Sequence, residues 1–311
     1  MEFFKRKTNF RFMEPRKWWY AIAGAFVIGS FALVAVRGLN LTVDFTGGVA
    51  IEAAFPNPPD LDAVRSGLER AGFEDAQAQN FGTSRDVMIR LPPIDAEEAT
   101  QVRARVEEVL KEVDPGAEVR DLSVVGPQIG AELRESAIWA FVFTVLGIFF
   151  YVLFRFHTWR LSAGAIIATL FDPIVVLGFF ALTQMPFDLS VVAAILAVIG
   201  YSLNDKVVIF DRIRERFHLS RRLPVIQVLN EAINETLSRT VMTAFSVLIV
   251  LIALYVFGGP VLQPFAAALL VGVILGHFSS IWVASALALD FGLKIEHLLP
   301  VERKHPVDNL P

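Results

Sequence analysis

The chain is organised around the stretch Val198-Ile-Gly-Tyr-Ser-Leu-Asn-Asp-Lys-Val-Val-Ile-Phe-Asp-Arg-Ile-Arg-Glu215. It begins as an apolar membrane helix and then places Asn204, Asp205 and Lys206 before the apolar run has ended. A carboxylate at membrane depth costs about 3 kcal/mol or more on insertion scales, so it persists only where a partner, a cavity or a function offsets that cost. The stretch therefore predicts a membrane protein with an ionisable site centred on Asp205.

The composition places the chain among membrane proteins. Hydrophobic residues make up 54% and charged residues 19%, and the mean hydropathy is +0.53, which is far from a soluble domain. Cysteine is absent, which excludes disulfides, thiol chemistry and cysteine-ligated metals. The sequence contains no glycine-rich phosphate loop, no HExxH motif and no nucleophile elbow. We therefore expect no enzyme activity, no cofactor, no metal ion and no nucleic-acid partner.

Six apolar runs reach the roughly 20 residues that a helix needs to cross a bilayer. Because all six are long, the sequence predicts an α-helical membrane protein with six transmembrane helices, the last five of them within residues 137–289. The runs are Trp18–Val36, Ala137–Phe154, Leu161–Thr183, Leu189–Phe210, Leu237–Phe257 and Pro264–Leu289.

The distribution of Lys and Arg predicts the orientation of these spans. Six basic residues lie in the first 17 positions and five between spans four and five, whereas the links Gln184–Asp188 and Gly258–Gln263 contain none. The positive-inside rule then places both tails, residues 1–17 and 290–311, in the cytoplasm. The first apolar run, 18–36, is longer than the core of a signal peptide, which favours an uncleaved anchor.

The segment between spans one and two is a predicted extracytoplasmic domain over residues 37–131. From Gly38 to Ala131 there are 17 Asp and Glu against 8 Lys and Arg, which indicates a water-soluble surface. Asp44 is followed by the pair Gly47 and Gly48, which permits a tight turn. The later pattern predicts strand Val49–Phe55, helix Leu61–Ala71 capped by Asp60, strands Ala76–Phe81 and Val87–Leu91, helix Ala96–Val113 and strand Ala117–Val125. This β-α-β-β-α-β order predicts a small α+β domain of the ferredoxin-like type.

The polar residues inside the spans are the candidate site. Asp205 lies 15 residues after Ser190, about 22 Å along a helix, which places it in the cytoplasmic third of the bilayer. Asn204 and Asp205 share a helical face with Tyr201. Arg239 enters the membrane from the cytoplasmic side, so we expect it to meet Asp205 at a similar depth.

Asp172 is a second buried carboxylate, near the middle of span three and next to the helix-kinking Pro173. The sequence offers no basic partner for it at that depth except His277. Asp172 is therefore either a protonated carboxyl that bonds to a neighbouring helix or an ion-coupling residue together with Asp205, Asn204 and Arg239. Residues 211–236 are a predicted cytoplasmic amphipathic segment, in which Pro224 begins a helix that continues into span five.

Structural interpretations stay open beside these functional ones. Asp205 is either an ion-responsive group or a packing residue paired with Lys206 or Arg239. Arg239 is either its partner or a topology arginine held by Glu235 four residues earlier. His277 is either a proton carrier or a packed polar residue. Small residues at every fourth position of span six predict close helix packing, within the chain or against a partner: Ala268, Gly272, Gly276, Ser280 and Ala284.

Several motifs together resemble the SecF branch of the bacterial SecD/SecF protein-export family, within the resistance-nodulation-division (RND) superfamily. The resemblance covers nearly the whole chain. One departure is Phe171, where relatives often have a His before the aspartate of span three. The motif residues are Asp44, Gly47 and Gly48 in Val43–Gly48; Gly126 and Pro127 in Val125–Pro127; Gly200, Tyr201, Asn204 and Asp205 in Ile199–Asp205; Asp211, Arg212 and Glu215 in Asp211–Glu215; Arg239-Thr240; Tyr255–Pro260; and Ala284–Leu289.

The resemblance implies a function in protein export from the bacterial cytoplasmic membrane. It implies a heterodimer with SecD that forms a twelve-span core, association with the SecYEG channel and with YajC, and an unfolded preprotein as the cargo. It implies use of a proton or sodium gradient, with Asp205 and Arg239 linked to ion movement. Two other hypotheses stay open: half of an RND small-molecule exporter, and an assembly subunit that transduces no ion gradient.

Overall fold

The structure, a computed structural model, describes residues 8–73, 76–93, 99–156, 158–220, 222–294 and 296. Within this part of the chain six helices are long and apolar enough to cross a membrane. Each contains one of the six predicted spans, so all six predictions are confirmed. These helices are α1 (Arg16–Arg37), α5 (Pro127–Phe156), α6 (Trp159–Thr183), α7 (Leu189–Leu219), α8 (Val225–Phe257) and the run Gly259–Asp290.

Most of these helices are longer than their apolar runs. Helix α5 begins at Pro127, ten residues before the predicted start at Ala137, because polar turns containing Glu132 and Arg134 continue the helix outside the lipid. The boundary of the outer domain at residue 131 stays a prediction, and residues 127–131 already belong to α5. Helix α8 begins directly after Pro224 and runs unbroken through span five, as predicted. Most of the two predicted cytoplasmic tails lies outside the described residues.

The spans form an inner and an outer layer. The buried share of the most apolar 18-residue stretch is 61% in α6, 50% in α7 and 61% in the sixth span. It is only 11% in α1, 6% in α5 and 11% in α8. The sixth span consists of α9 (Gly259–Phe278), a π-helical segment (Ser279–Ala284) and α10 (Ser285–Asp290). Pro173 lies inside α6, which is assigned as one continuous helix. The polar candidate residues of α6 and α7 thus lie in the best-packed layer.

The outer domain contains all the predicted strands and helices, although residues 96–98 lie outside the described part. They are β1 (Gly48–Ala54), α3 (Leu61–Arg70), β2 (Gln77–Phe81), β3 (Thr83–Leu91), α4 (Ala99–Val113) and β4 (Glu118–Val125). The four strands form one antiparallel sheet in the order β2-β3-β1-β4. On β1, Val49, Ile51 and Ala53 are buried at every second position, and helices α3 and α4 cover that face. Asp60 caps α3 through a bond from the Asp62 amide (2.9 Å), as predicted.

Backbone pairing joins the outer domain to the membrane layer. The amide of Thr42 donates to the carbonyl of Phe187 (3.0 Å), and the amide of Phe187 donates to the carbonyl of Asn40 (2.8 Å). The Arg90 guanidinium of β3 donates to the Asn40 side chain at 2.7 Å and to the Leu41 carbonyl at 3.0 Å. Burial lowers the pKa of Arg90, and these two acceptors offset part of the loss of water.

The Asp44 motif forms the predicted turn, at the junction of the two parts. A single helical turn, α2 (Val43–Thr46), is followed by Gly47 and Gly48 with φ of 71° and 122°. Only glycine adopts both angles without strain. The Asp44 carboxylate accepts a bond from the Leu189 amide at 3.2 Å, at the start of α7. The motif therefore fixes the entry of the helix that carries Asp205.

A second contact between the two parts involves the tip of the β2–β3 hairpin. Gly82 has φ of 76°, and a Cβ added there would lie 2.5 Å from Cγ of Pro260. Pro260 lies at the start of α9, just after the link between spans five and six. The hairpin tip thus packs directly on this corner of the membrane layer.

Gly48→Ala should lower the free energy of unfolding by about 2 kcal/mol or more, because it combines a positive φ with a clash. The added Cβ would lie 2.5 Å from the Leu91 carbonyl oxygen. Gly126→Ala is the matched control, since nothing lies within 4 Å of a Cβ at Gly126. Thermal unfolding of the full chain in detergent measures both. Equal unfolding temperatures would contradict the prediction.

Candidate functional site

The polar residues of α7 divide between two sides of the helix. Asp205 and Lys206 are consecutive, which separates their side chains by about 100° around the axis. Asp205 contacts α8, because its Oδ1 accepts a bond from the Thr240 hydroxyl at 3.0 Å. Lys206 contacts α6 and the sixth span. The core therefore holds two separate polar sites.

The Asp205 site borders an open pocket between α7 and α8. The pocket measures about 400 Å³. Asp205 is buried, and its Oδ2 has no hydrogen-bond partner among the described residues; the buried Tyr201 hydroxyl has none either. The site thus offers free oxygen atoms beside a space large enough for water or a small ion. The pocket is lined by Tyr201, Asn204, Asp205, Met242, Thr243, Ser246 and Val247.

His277 lies beside this site and links α9 to α8. Its Nδ1 is 2.9 Å from the Val273 carbonyl and its Nε2 is 3.2 Å from the Thr240 carbonyl. Its ring stacks on Tyr201 with a centroid distance of 5.7 Å. The backbone of Thr240 thus contacts His277, while its hydroxyl contacts Asp205.

The second site is a fully buried ion pair. Lys206 Nζ lies 3.1 Å from Asp172 Oδ2, and both side chains have zero exposure. The Ser279 hydroxyl donates to Asp172 Oδ1 at 2.7 Å and accepts from Lys206 at 2.9 Å, and Lys206 also donates to Ser202. The expectation that Asp172 lacks a basic partner is therefore wrong. So is the pairing of Lys206 with Asp205.

The small residues of span six bring the helices close enough for this network. A Cβ added at Gly272 would lie 3.0 Å from Cβ of Val198, and one at Gly276 would lie 3.0 Å from Cβ of Ser202. This stripe therefore packs inside the chain, against α7. The network contacts the sixth span at Ser279, where α9 ends and the π-helical segment begins. Short π-helical segments are often found at functional sites.

Arg239 does not lie where the sequence predicts. It is exposed, and no ion pair joins it to Asp205 among the residues that the structure describes. Its side chain lines a second pocket, towards the C-terminal end of α7, together with Asp211 and Glu215. Glu235 pairs with Arg212 at 2.6 Å, and no ion pair is found between Glu235 and Arg239.

The other motif residues occupy three levels. Asp44, Gly47, Gly48, Gly126 and Pro127 lie at the outer junction. Mid-membrane, Gly200 is exposed on the surface of α7 with nothing within 4 Å of a Cβ, and Tyr201 and Asn204 line the Asp205 pocket. Towards the C-terminal end of α7, Asp211 pairs with Arg155, and Arg212 bonds Glu215 at 2.5 Å. The fold therefore distributes the motif residues over three depths and does not gather them into one cluster.

Sequence reasoning assigned no site role to Ser202 or Ser279. It named Lys206 only as a structural partner of Asp205, and Thr240 only as part of the Arg239-Thr240 motif. One signal was available, because Ser202 and Lys206 are four residues apart and so share a helical face. The described part of the chain contains no group of three or more His, Asp or Glu side chains that could hold a metal ion.

The fold and the two sites define a class: a six-span membrane protein with a small outer α+β domain and ionisable groups inside its helix layer. A family model described as "Protein export membrane protein SecD/SecF, C-terminal" matches residues 105–294. The protein translocase subunit SecF of Escherichia coli O157:H7 is 43% identical over 290 residues, 93% of this chain and 90% of that protein. The SecF of Pseudomonas aeruginosa is 40% identical over 302 residues, 96% and 97% of the two chains. The chain belongs to the SecD/SecF family.

Solved structures agree with this assignment. The crystal structure of SecDF, a translocon-associated membrane protein from Thermus, is 35% identical to this chain with a TM-score of 0.84. A SecDF structure in a super-membrane-facing form gives a TM-score of 0.69. The first match covers 91% of this chain but only 39% of the SecDF chain. The similarity therefore concerns one part of a longer protein.

Thr240→Val should destabilise the protein by about 1–3 kcal/mol, because it removes the donor to a buried carboxyl while keeping the side-chain shape. Thr236→Val is the matched control, since that hydroxyl is also buried in α8 and donates to backbone carbonyls of its own helix. Thermal unfolding of the full chain in detergent distinguishes the two variants. A loss for Thr236→Val as large as for Thr240→Val would contradict a specific role for the Asp205 contact.

Proposed function

We propose that this chain is a SecF-type subunit of the Sec protein-export machinery, which acts in late steps of preprotein translocation. The family assignment supports this function, as does the Asp205 site, where a buried carboxyl with a free oxygen borders an open pocket. The chain would act as a transport component without catalysis of its own. Its cargo would be an unfolded preprotein.

The proposed assembly is a heterodimer with SecD. The SecDF chain from Thermus is similar to this chain over only 39% of its length, which leaves room there for a SecD part. The outer helices α5 and α8 expose apolar side chains, including Phe143, Phe154, Phe245 and Ile249, suited to lipid or to partner helices. Association with SecYEG and with YajC belongs to the same proposal and rests on the family resemblance.

The proposed location is the bacterial cytoplasmic membrane, with both termini in the cytoplasm. The Lys and Arg bias of the sequence supports this orientation. The outer domain would then face away from the cytoplasm. We also assign it to the ferredoxin-like type, because the order β-α-β-β-α-β and the sheet order β2-β3-β1-β4 agree with that topology.

The proposed coupling step is a two-state change at Asp205. In the present state Asp205 accepts one bond from Thr240, its second oxygen has no hydrogen-bond partner, and no ion pair to it is found within the part of the chain that the structure describes. Arg239 directly precedes Thr240 in α8, so a rotation of this helix by about 100° would exchange the two. Loss of the proton would favour the state in which Arg239 faces the carboxylate. Asn204 lines the pocket through which the ion would arrive.

The membrane gradient supplies enough energy for such a change. One elementary charge that crosses 100 mV provides about 2.3 kcal/mol, which biases a two-state equilibrium about fifty-fold. The carrier would be a proton or a sodium ion, since the free oxygen atoms of the pocket suit either. Asp172, which the sequence also places among the ion-coupling residues, would contribute indirectly, by holding α7 in place through its ion pair with Lys206.

Asp205→Asn should abolish gradient-dependent export while leaving the complex assembled, because the amide cannot release a proton. The measurement is processing of a secreted precursor in cells depleted of this protein and rescued with each variant. Asp121→Asn is the matched control, the same chemical change on an exposed residue of the outer domain.

Each outcome of this experiment supports or contradicts one of the hypotheses. Full rescue by Asp205→Asn would contradict the coupling role and leave an assembly subunit with a structural aspartate. If depletion causes no precursor to accumulate but removes resistance to toxic compounds, the export function is wrong and the RND exporter hypothesis replaces it. Loss of the complex in the variant would show a structural requirement instead of coupling.

A further inference from the structure

The ammonium group of Lys206 is held as a bound cation would be. Three side-chain oxygens contact Nζ: Asp172 Oδ2 at 3.1 Å, Ser279 Oγ at 2.9 Å and Ser202 Oγ. They come from three different spans, α6, α7 and the π-helical segment of the sixth. A carboxylate and two hydroxyls are the oxygen ligands that hard metal cations take in proteins.

This site is closed, unlike the pocket at Asp205. Lys206, Asp172 and Ser279 have zero exposure and Ser202 has 1%. Lys206 is the residue after Asp205 in the same helix, yet its side chain points about 100° away, into a fully packed region. An ion that reaches Asp205 through the open pocket therefore does not reach Asp172.

The charge of Asp172 requires a single positive charge at this position. A buried carboxylate without a partner is strongly disfavoured in the apolar core. Among the described residues, Lys206 is the cation that contacts Asp172. Ser202 and Ser279 are neutral, so the site is balanced by one monovalent cation, whereas a divalent ion would leave an excess charge.

We infer that the Lys206 ammonium permanently occupies a monovalent-cation site formed by Asp172, Ser202 and Ser279, and so keeps the helix core independent of sodium. Lys206 is thus a selectivity residue, which leaves the Asp205 pocket as the place where an ion exchanges. This last consequence rests on the proposed function. The occupied site itself is tested without reference to export.

The experiment removes the ammonium and offers a free ion in its place. Lys206→Ser leaves the oxygen ligands and adds a small hydroxyl; Lys206→Gln keeps most of the side-chain volume. The full chain, co-expressed with the SecD subunit of the same bacterium, is unfolded thermally in detergent over a series of NaCl concentrations. Choline chloride at equal ionic strength is the reference, because choline is too large to enter the site.

The Lys206→Ser variant should gain about 3 °C or more in unfolding temperature when sodium reaches ten times its dissociation constant. The wild type should show equal unfolding temperatures in the two salts. The double variant Asp172→Asn with Lys206→Ser is the matched control and should show no sodium effect, since the charge that attracts the ion is gone. Recovery of folded Lys206→Ser from NaCl alone, and not from choline chloride, would also support the inference.

Four results would overturn it. One is the absence of a sodium-specific gain in both Lys206→Ser and Lys206→Gln, and another is an equal gain in the double variant. A third is an equal gain in the wild type. The fourth is failure of both single variants to fold at any NaCl concentration, because a free ion then does not replace the ammonium. None of these results depends on precursor processing, so they are distinguishable from a failure of the proposed function.

Discussion

The cost of placing charge inside an apolar layer is the constraint on which this structure depends. Asp172 and Lys206 have zero exposure, and each would be strongly disfavoured alone. Their mutual contact, with the hydroxyls of Ser202 and Ser279, satisfies both groups at once. Because the partners lie on α6, α7 and the sixth span, the same contact fixes how these three helices are rotated relative to one another.

The helix packing follows from that requirement. A lysine reaches its partners only where the helices approach closely, and Gly272 and Gly276 provide that approach against α7. The π-helical segment begins at Ser279, whose hydroxyl both donates to Asp172 and accepts from Lys206. With one side of α7 fixed in this way, Asp205 faces α8 and an open pocket. Two consecutive residues of α7 thus have different surroundings: Asp205 faces an open pocket, and Lys206 faces a closed, packed network.

The sequence predicts the elements of this protein better than the contacts between them. Run length predicts the six spans, and alternation with Asp60 as a cap predicts the strands and helices of the outer domain. The start of α5 at Pro127 is missed because hydropathy does not register helical turns outside the lipid. The partner of Asp172 is missed because α6 is apolar on most sides, so its pattern does not indicate which way the aspartate faces.

The same limit explains the outcome for Arg239 and His277. Arg239 and Thr240 are neighbours on α8 and differ by about 100° in direction, so depth alone does not decide which of them meets Asp205. The structure selects Thr240. For His277, one ring nitrogen faces the Val273 carbonyl of its own helix and the other faces the Thr240 carbonyl of α8. A backbone acceptor on another helix leaves no trace in a sequence pattern.

The contact of Gly82 with Pro260 has a mechanical consequence. Because glycine has no side chain, the hairpin tip touches the proline with no flexible group between them, and well-packed protein matter is nearly incompressible. Pro260 lies at the end of the link between α8 and α9, the two helices that flank the Asp205 and His277 contacts. A small axial shift of this corner therefore displaces the β2–β3 hairpin by nearly the same distance.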